Sequence, residues 1–136
     1  MTRLATCACG RLRVTCRREP VRISQCHCLE CQKRTGSPYG VAAFFGRADV
    51  ELQGETREYA RTGDSGFPVV FHFCPTCGSS VYWEPGRAPD LVAVAVGAFA
   101  DPDFPAPSQA VYTQRRHAWV VDKWQVSPEP DGNIRK

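Results

Sequence analysis

The sequence lacks any long hydrophobic run. Its longest apolar stretch, Leu91 to Val96, is far shorter than the roughly 18 residues that a membrane-spanning helix needs. The opening residues, Met1-Thr2-Arg3-Leu4-Ala5-Thr6, lack the apolar core of a signal peptide, so a cytoplasmic location and no membrane partner are expected. Lysine is scarce, with three residues against 14 arginines, and the net charge is only +3. So mild an excess does not mark a nucleic-acid binder, and nucleic acid is not an expected partner. No linker or long internal repeat divides the 136 residues, which predicts a single domain over 1–126. Residues 127–136 carry no core-like pattern and are expected to form a flexible tail.

Cysteine is the residue in excess. The eight are Cys7, Cys9, Cys16, Cys26, Cys28, Cys31, Cys74 and Cys77. Seven of them lie in C-x-C or C-x-x-C clusters. Such close neighbours rarely bridge one another, but their sulfurs can converge on one metal ion, and without a signal peptide a secreted disulfide framework is not expected.

The 11 glycines and 11 prolines predict many turns and short elements. Arg11 to Cys16 alternates with period two and reads as a strand, and Gly40 to Phe45 reads as a buried one. Further strands are predicted near Asp49–Leu52, Arg57–Tyr59, Val69–Phe73, Val81–Trp83, Leu91–Val96 and Ala118–Val121. Cys26 to Gly36 predicts a tight knuckle followed by a short helix, and Asp101 to Pro107, with three prolines, a loop. The expected fold is mainly β, with packed antiparallel sheets, little helix and zinc as a stabiliser.

Cys7-Ala8-Cys9-Gly10 and Cys74-Pro75-Thr76-Cys77-Gly78 both end in Cys-Gly. That position in a zinc knuckle often needs positive φ, which glycine adopts without steric cost. The shared ending pairs the two as halves of one four-thiolate zinc site, closed and therefore structural. Cys26-His27-Cys28-Leu29-Glu30-Cys31 then supplies three thiolates. Its fourth position is either open, the usual form of a catalytic zinc, or filled by Cys16, His27 or His72. Cys16, isolated in a strand, reads as a buried free thiol. His27 is expected to point away from its neighbours' metal, His72 to face away from the core, and His117 to lie at the surface. Tyr39, Tyr82, Trp83 and Phe99 read as core or as pocket walls, and Glu30 as exposed.

The order C-x-C-G, C-H-C-x-x-C and F-C-x-x-C-G-S, followed by Val81-Tyr82-Trp83, resembles the glutathione-dependent formaldehyde-activating family, which also contains centromere protein V. The matching segments run from about Cys7 to Trp119. The resemblance implies a β-tent fold, a structural zinc on Cys7, Cys9, Cys74 and Cys77, and a catalytic zinc on Cys26, Cys28 and Cys31, two zincs per chain. It implies a carbon–sulfur lyase that joins glutathione to formaldehyde as S-hydroxymethylglutathione, with a thiol and an aldehyde as partners. Family members often carry a histidine where this chain reads Ser108-Gln109-Ala110, a departure that bears on which thiol or aldehyde is used.

Three thiolates on a dication leave a charge of −1, which makes a poor Lewis acid but suits holding an incoming thiol as thiolate. Lys33 and Arg34, directly after Cys31, read either as the groups that bind the substrate's carboxylates or as solvated surface charges. The competing readings are a non-catalytic zinc-binding module for protein or nucleic acid, and zinc storage or sensing.

Overall fold

Short apolar runs between turn residues form ten strands and one short α-helix among the described residues of the computed structural model, which are 2–63, 66–122 and 124. In order they are β1 (Arg3–Thr6), β2 (Arg13–Cys16), β3 (Arg22–Cys26), α1 (Leu29–Thr35), β4 (Gly40–Gly46), β5 (Val50–Gln53), β6 (Arg57–Thr62), β7 (Pro68–Phe73), β8 (Ser80–Pro85), β9 (Leu91–Ala95) and β10 (Gln109–Val111). The chain is mainly β with little helix, as the sequence predicts. The tail over 127–136 lies outside the described residues. No described helix is long and apolar enough to cross a membrane.

By internal contacts the chain forms two compact units. The first comprises the chain up to Val21 together with Ala43–Phe104. In it β1, β2 and β5 make an antiparallel sheet, with Arg3 opposite Cys16 and Cys16 opposite Val50. A second run of strands places β9, β8, β7 and β6 side by side, each antiparallel to the next. β2 packs against β8, and β1 against the 3-10 turn Val96–Phe99. Leu12, Val14, Phe45, Val81, Val92 and Val94 are fully buried there. Burying each such side chain contributes roughly 1.5–3 kcal/mol.

The second unit comprises Arg22–Ala42 and the chain from Pro105 onward. Here β10 runs beside β3, with Val111 opposite Cys26, and this pair is parallel rather than antiparallel. His27 N–H donates to Val111 O at 3.1 Å, which extends the pairing by one residue.

Two expectations fail for identifiable reasons. Ala118 and Trp119 form a turn rather than a strand, and Trp119 and Val121 are 70% and 77% exposed. Among the described residues the last strand is instead β10, only three residues long. His72 lies opposite Phe71 and Phe73 along β7 but is buried, because Thr56, Tyr82 and Glu84 close that face of the sheet. Glu84 accepts from His72 Nε2 at 2.6 Å, the ring stacks on Tyr82 at 4.5 Å, and Arg47 holds Glu84 at 3.0 Å. Burial alone pushes the Glu84 carboxyl up, but the His72 and Arg47 donors outweigh it and hold the group below its ordinary value of 4.5.

Candidate metal centres

The first cysteine cluster is assembled from two knuckles of the same construction. Cys7 N–H donates to Leu12 O, five residues on, at 2.9 Å, and Cys74 N–H to Ser79 O, also five on, at 3.0 Å. Gly10 and Gly78 take φ of 82° and 79°, the left-handed conformation the Cys-Gly endings predict. That turn aims backbone donors at sulfur: Leu12 N–H meets Cys7 Sγ at 3.2 Å, and Thr76 N–H meets Cys74 Sγ at 3.4 Å. Ser79 joins the knuckles, since its Oγ accepts from Ala8 N–H at 3.1 Å and lies 3.3 Å from Cys77 Sγ. Arg11 crosses to Thr76 at 3.0 Å.

The sulfurs of Cys7, Cys9, Cys74 and Cys77 lie within 4.8 Å of one another. Cys7 to Cys9 is 3.6 Å and Cys9 to Cys74 is 3.7 Å. A tetrahedron of ~2.3 Å zinc–sulfur bonds has edges of about 3.8 Å, so these separations fit a zinc ion. None of the eight cysteines is in a disulfide. Without a cation, four such near sulfurs cannot all ionise, and the thiols divide. Cys77 is pulled down to about 5, first by the Ser79 hydroxyl and then by backbone N–H groups. Cys9 is pushed up to about 11: the Arg11 backbone donor favours its thiolate, but local desolvation and three neighbouring sulfurs outweigh it.

The second cluster is built on one continuous segment. Cys26 ends β3, Cys28 is the N-cap of α1, and Cys31 sits in that helix's first turn. Cys28 Sγ accepts from Cys31 N–H at 3.3 Å, the role a serine or aspartate plays at most helix starts. The helix stops at Gly36, which is left-handed. The three sulfurs lie within 4.8 Å of one another, and among the described residues Cys16, His27 and His72 do not join them. Cys26 and Cys31 pack with Val111 as a small apolar core, against which Cys28 and Tyr112 lie half-buried. Three soft thiolate donors fit zinc as the first set does, with one fewer ligand. The Cys28 thiol is raised: its bond with Cys26 lowers it, but Cys31 and desolvation outweigh that effect.

Sequence reasoning missed the residues that fix this segment in place. Gln32 Nε2 donates to His27 O at 2.9 Å and to Arg115 O at 3.2 Å, while its Oε1 meets His117 Nε2 at 2.9 Å. Two carbonyls orient the amide nitrogen, so His117 must be the donor to Oε1. His117 is thus half-buried rather than a plain surface residue, and it carries Trp119 edge-on at 5.7 Å. Gln25 Nε2 donates to Asp122 Oδ1 at 2.8 Å and lies 3.2 Å from His27 Nε2. Its second proton therefore faces His27 Nε2, leaving the ring proton of the neutral imidazole on Nδ1. Burial, then the Arg116 charge, lowers the His27 pKa and favours that neutral form. Arg116 closes the network on Asp122 at 2.7 Å. No local sequence pattern marks Gln25, Gln32 or Asp122, because the contacts that complete the network, Gln25 to Asp122 and Gln32 to Arg115 and His117, span the chain.

The remaining candidates are placed as follows. Cys16 is fully buried, and desolvation pushes its thiol up to about 12, so it is an inert free thiol as predicted. Lys33 is exposed and only loosely paired with Glu30, itself exposed, at 3.9 Å. Arg34 lies against the bare face of Gly40, where an added Cβ would meet Arg34 Nη2 at 3.0 Å and Cys31 Cβ at 3.6 Å. Its Nε is shut off from solvent. Tyr82, Trp83 and Phe99 are core residues of the first unit, and Tyr39 lies against His27 at 5.6 Å.

Residues 2–115 match the family described as glutathione-dependent formaldehyde-activating enzyme. The chain belongs to that family. At the family level its function is of the glutathione-dependent formaldehyde-activating type, with a thiol and an aldehyde as partners. No curated protein matches the chain. A crystal structure of a Rhodobacter sphaeroides protein, a structural-genomics target, is similar at 20% identity. The likeness covers 73% of this chain and 91% of that one with a TM-score of 0.53, and at that identity it shows a shared fold.

Proposed function

We propose that the chain is a zinc-dependent carbon–sulfur lyase or synthase acting on a thiol–aldehyde adduct, glutathione with formaldehyde or a closely related pair. The observation that carries this reading is the ligand count. Three sulfurs converge at Cys26, Cys28 and Cys31 where the first cluster has four, which leaves one tetrahedral position for substrate. Cys26, Cys28 and Cys31 would hold the catalytic zinc, and Cys7, Cys9, Cys74 and Cys77 a structural one. Zinc at the second cluster would supply the positive charge that lowers the pKa of an incoming thiol. In the forward direction the substrate sulfur bonds to the aldehyde carbon, the carbonyl π pair moves to oxygen, and the thiol proton ends on that oxygen. The reverse is carbon–sulfur cleavage. The Lys33–Arg34 pair would supply the cation for the thiol's carboxylates.

The binding-module alternative needs an unengaged basic stripe. Arg3, Arg17 and Arg18 instead face Glu19, Glu51 and Asp49 at 2.9, 2.7 and 3.4 Å.

The test is the protein-dependent exchange between formaldehyde and its glutathione adduct, followed by magnetization-transfer NMR above the uncatalysed rate. Cys28→Ser should lose the protein-dependent part by about 100-fold or more, since losing even an outer-shell partner of a metal ligand costs roughly 10–100-fold. Unchanged exchange in that variant would sink the proposal.

A further inference from the structure

Tyr112 follows β10 directly and adopts φ 54° and ψ 41°, a left-handed conformation that costs a bulky residue and suits glycine or asparagine. The backbone is held there from both sides. Upstream, Val111 is locked beside Cys26, and its carbonyl accepts from His27 N–H at 3.1 Å. Downstream, Tyr112 O accepts from Arg115 N–H at 3.0 Å, and the Arg115 carbonyl is bonded to Gln32 of α1. A glycine would satisfy the same backbone with less strain. What the tyrosine adds is a ring, half-buried, packed against the core of Cys26, Cys31 and Val111. Strain held by its surroundings beside a cluster of reactive groups points to a use for the side chain.

We propose that Tyr112 is the specificity-determining wall of the second cysteine cluster: its ring screens the three sulfurs and restricts access to small carbonyl compounds such as one-carbon aldehydes. The size selection rests on the reaction proposed above; the screening does not. The proposal assigns both to the ring, which Tyr112→Phe retains.

The experiment uses the full chain with its zinc content counted beforehand. Iodoacetamide labelling is mapped by mass spectrometry, with Cys77 of the first cluster as internal reference. Tyr112→Gly should speed labelling of Cys28 at least fivefold relative to Cys77, and Tyr112→Phe should stay within twofold of the parent protein. Tyr112→Asn, which tolerates the same backbone, serves as the second open variant should the glycine loosen the segment. With glutathione present, the preference for formaldehyde over propionaldehyde should narrow at least tenfold in Tyr112→Gly and persist in Tyr112→Phe. Unchanged Cys28 labelling in both open variants overturns the wall, as does a phenylalanine variant that behaves like the glycine one. Faster labelling with unchanged aldehyde preference overturns the size selection. Faster labelling with no aldehyde turnover by any of the proteins supports the screen and counts instead against the proposed reaction.

Discussion

Cys9 and Cys77 of the first cluster stand at the surface, whereas Cys26 and Cys31 of the second are buried with Val111 in the core of their unit. The cluster read as structural is thus the more open to water, and the one read as catalytic is the more enclosed. The difference follows from ligand number. Four thiolates complete a tetrahedron, so the first site needs no further protection, and its knuckles only have to aim N–H donors at the sulfurs. Three thiolates leave one position that water could occupy, so what surrounds the second cluster decides what reaches it. The clusters also differ in span. Cys9 and Cys74 join distant parts of the chain, whereas Cys26, Cys28 and Cys31 lie within one β3–α1 corner.

The largest expected effect separates the clusters by that span. Cys74→Ser should destabilise the protein by about 3–5 kcal/mol, the scale of losing a native crosslink from a small domain, with a matching fall in urea midpoint. Cys28→Ser should cost less than Cys74→Ser in the same melt, because its metal ties only a local corner and serine keeps the N-cap of α1. Cys28→Ala should cost about 1 kcal/mol more than Cys28→Ser. Equal destabilisation by Cys74→Ser and Cys28→Ser would remove the distinction between clamp and corner.

A second expectation sharpens the account of the corner. Gln32→Ala removes three hydrogen bonds and strands two carbonyls, and should cost about 2 kcal/mol by chemical denaturation. It should also speed metal loss to a chelator from the second cluster and not the first.

The first unit should show an acid-side dependence carried by Glu84. The folded-state Glu84 pKa is depressed, so its stabilisation is complete above the ordinary carboxylate value of 4.5 and is lost as pH falls through the lower folded value. Stability measured against pH should therefore fall across that acid window, and Glu84→Gln should flatten the slope. An unchanged slope would mean that the His72 and Arg47 contacts to Glu84 contribute nothing in solution.

The smallest effect concerns the eighth cysteine. Cys16→Ala should leave the zinc count unchanged and cost about 1 kcal/mol, the scale of a small core truncation. Loss of a zinc would restore Cys16 as a ligand of the second cluster.

The metal-binding pattern was legible in the chain because spacing within a knuckle is local: Cys-Gly predicts a turn and positive φ, and Cys28-x-x-Cys31 fits a cap and first turn. The short helix to Gly36 and the buried β4 were legible for the same reason. β3 escaped because it is buried on both faces and carries Ser24 and Gln25 inside, so it shows neither alternation nor an apolar run. β10 escaped because three residues carry no period. Alternation placed His72 opposite its phenylalanines, but whether that face met water depended on Thr56, Tyr82 and Glu84, which are remote in sequence. Tyr112 was the least legible, since nothing in Val111-Tyr112-Thr113 signals a left-handed residue. That conformation is set by β3 on one side and by Gln32 on the other.

The most direct test of the whole account is the number of zinc ions per chain, counted by native mass spectrometry after saturation and desalting. Two in the parent protein and one in Cys28→Ser, with the cooperative unfolding transition retained, is the predicted result. A single zinc in both proteins, or loss of both ions in Cys28→Ser, would contradict two separately built metal centres.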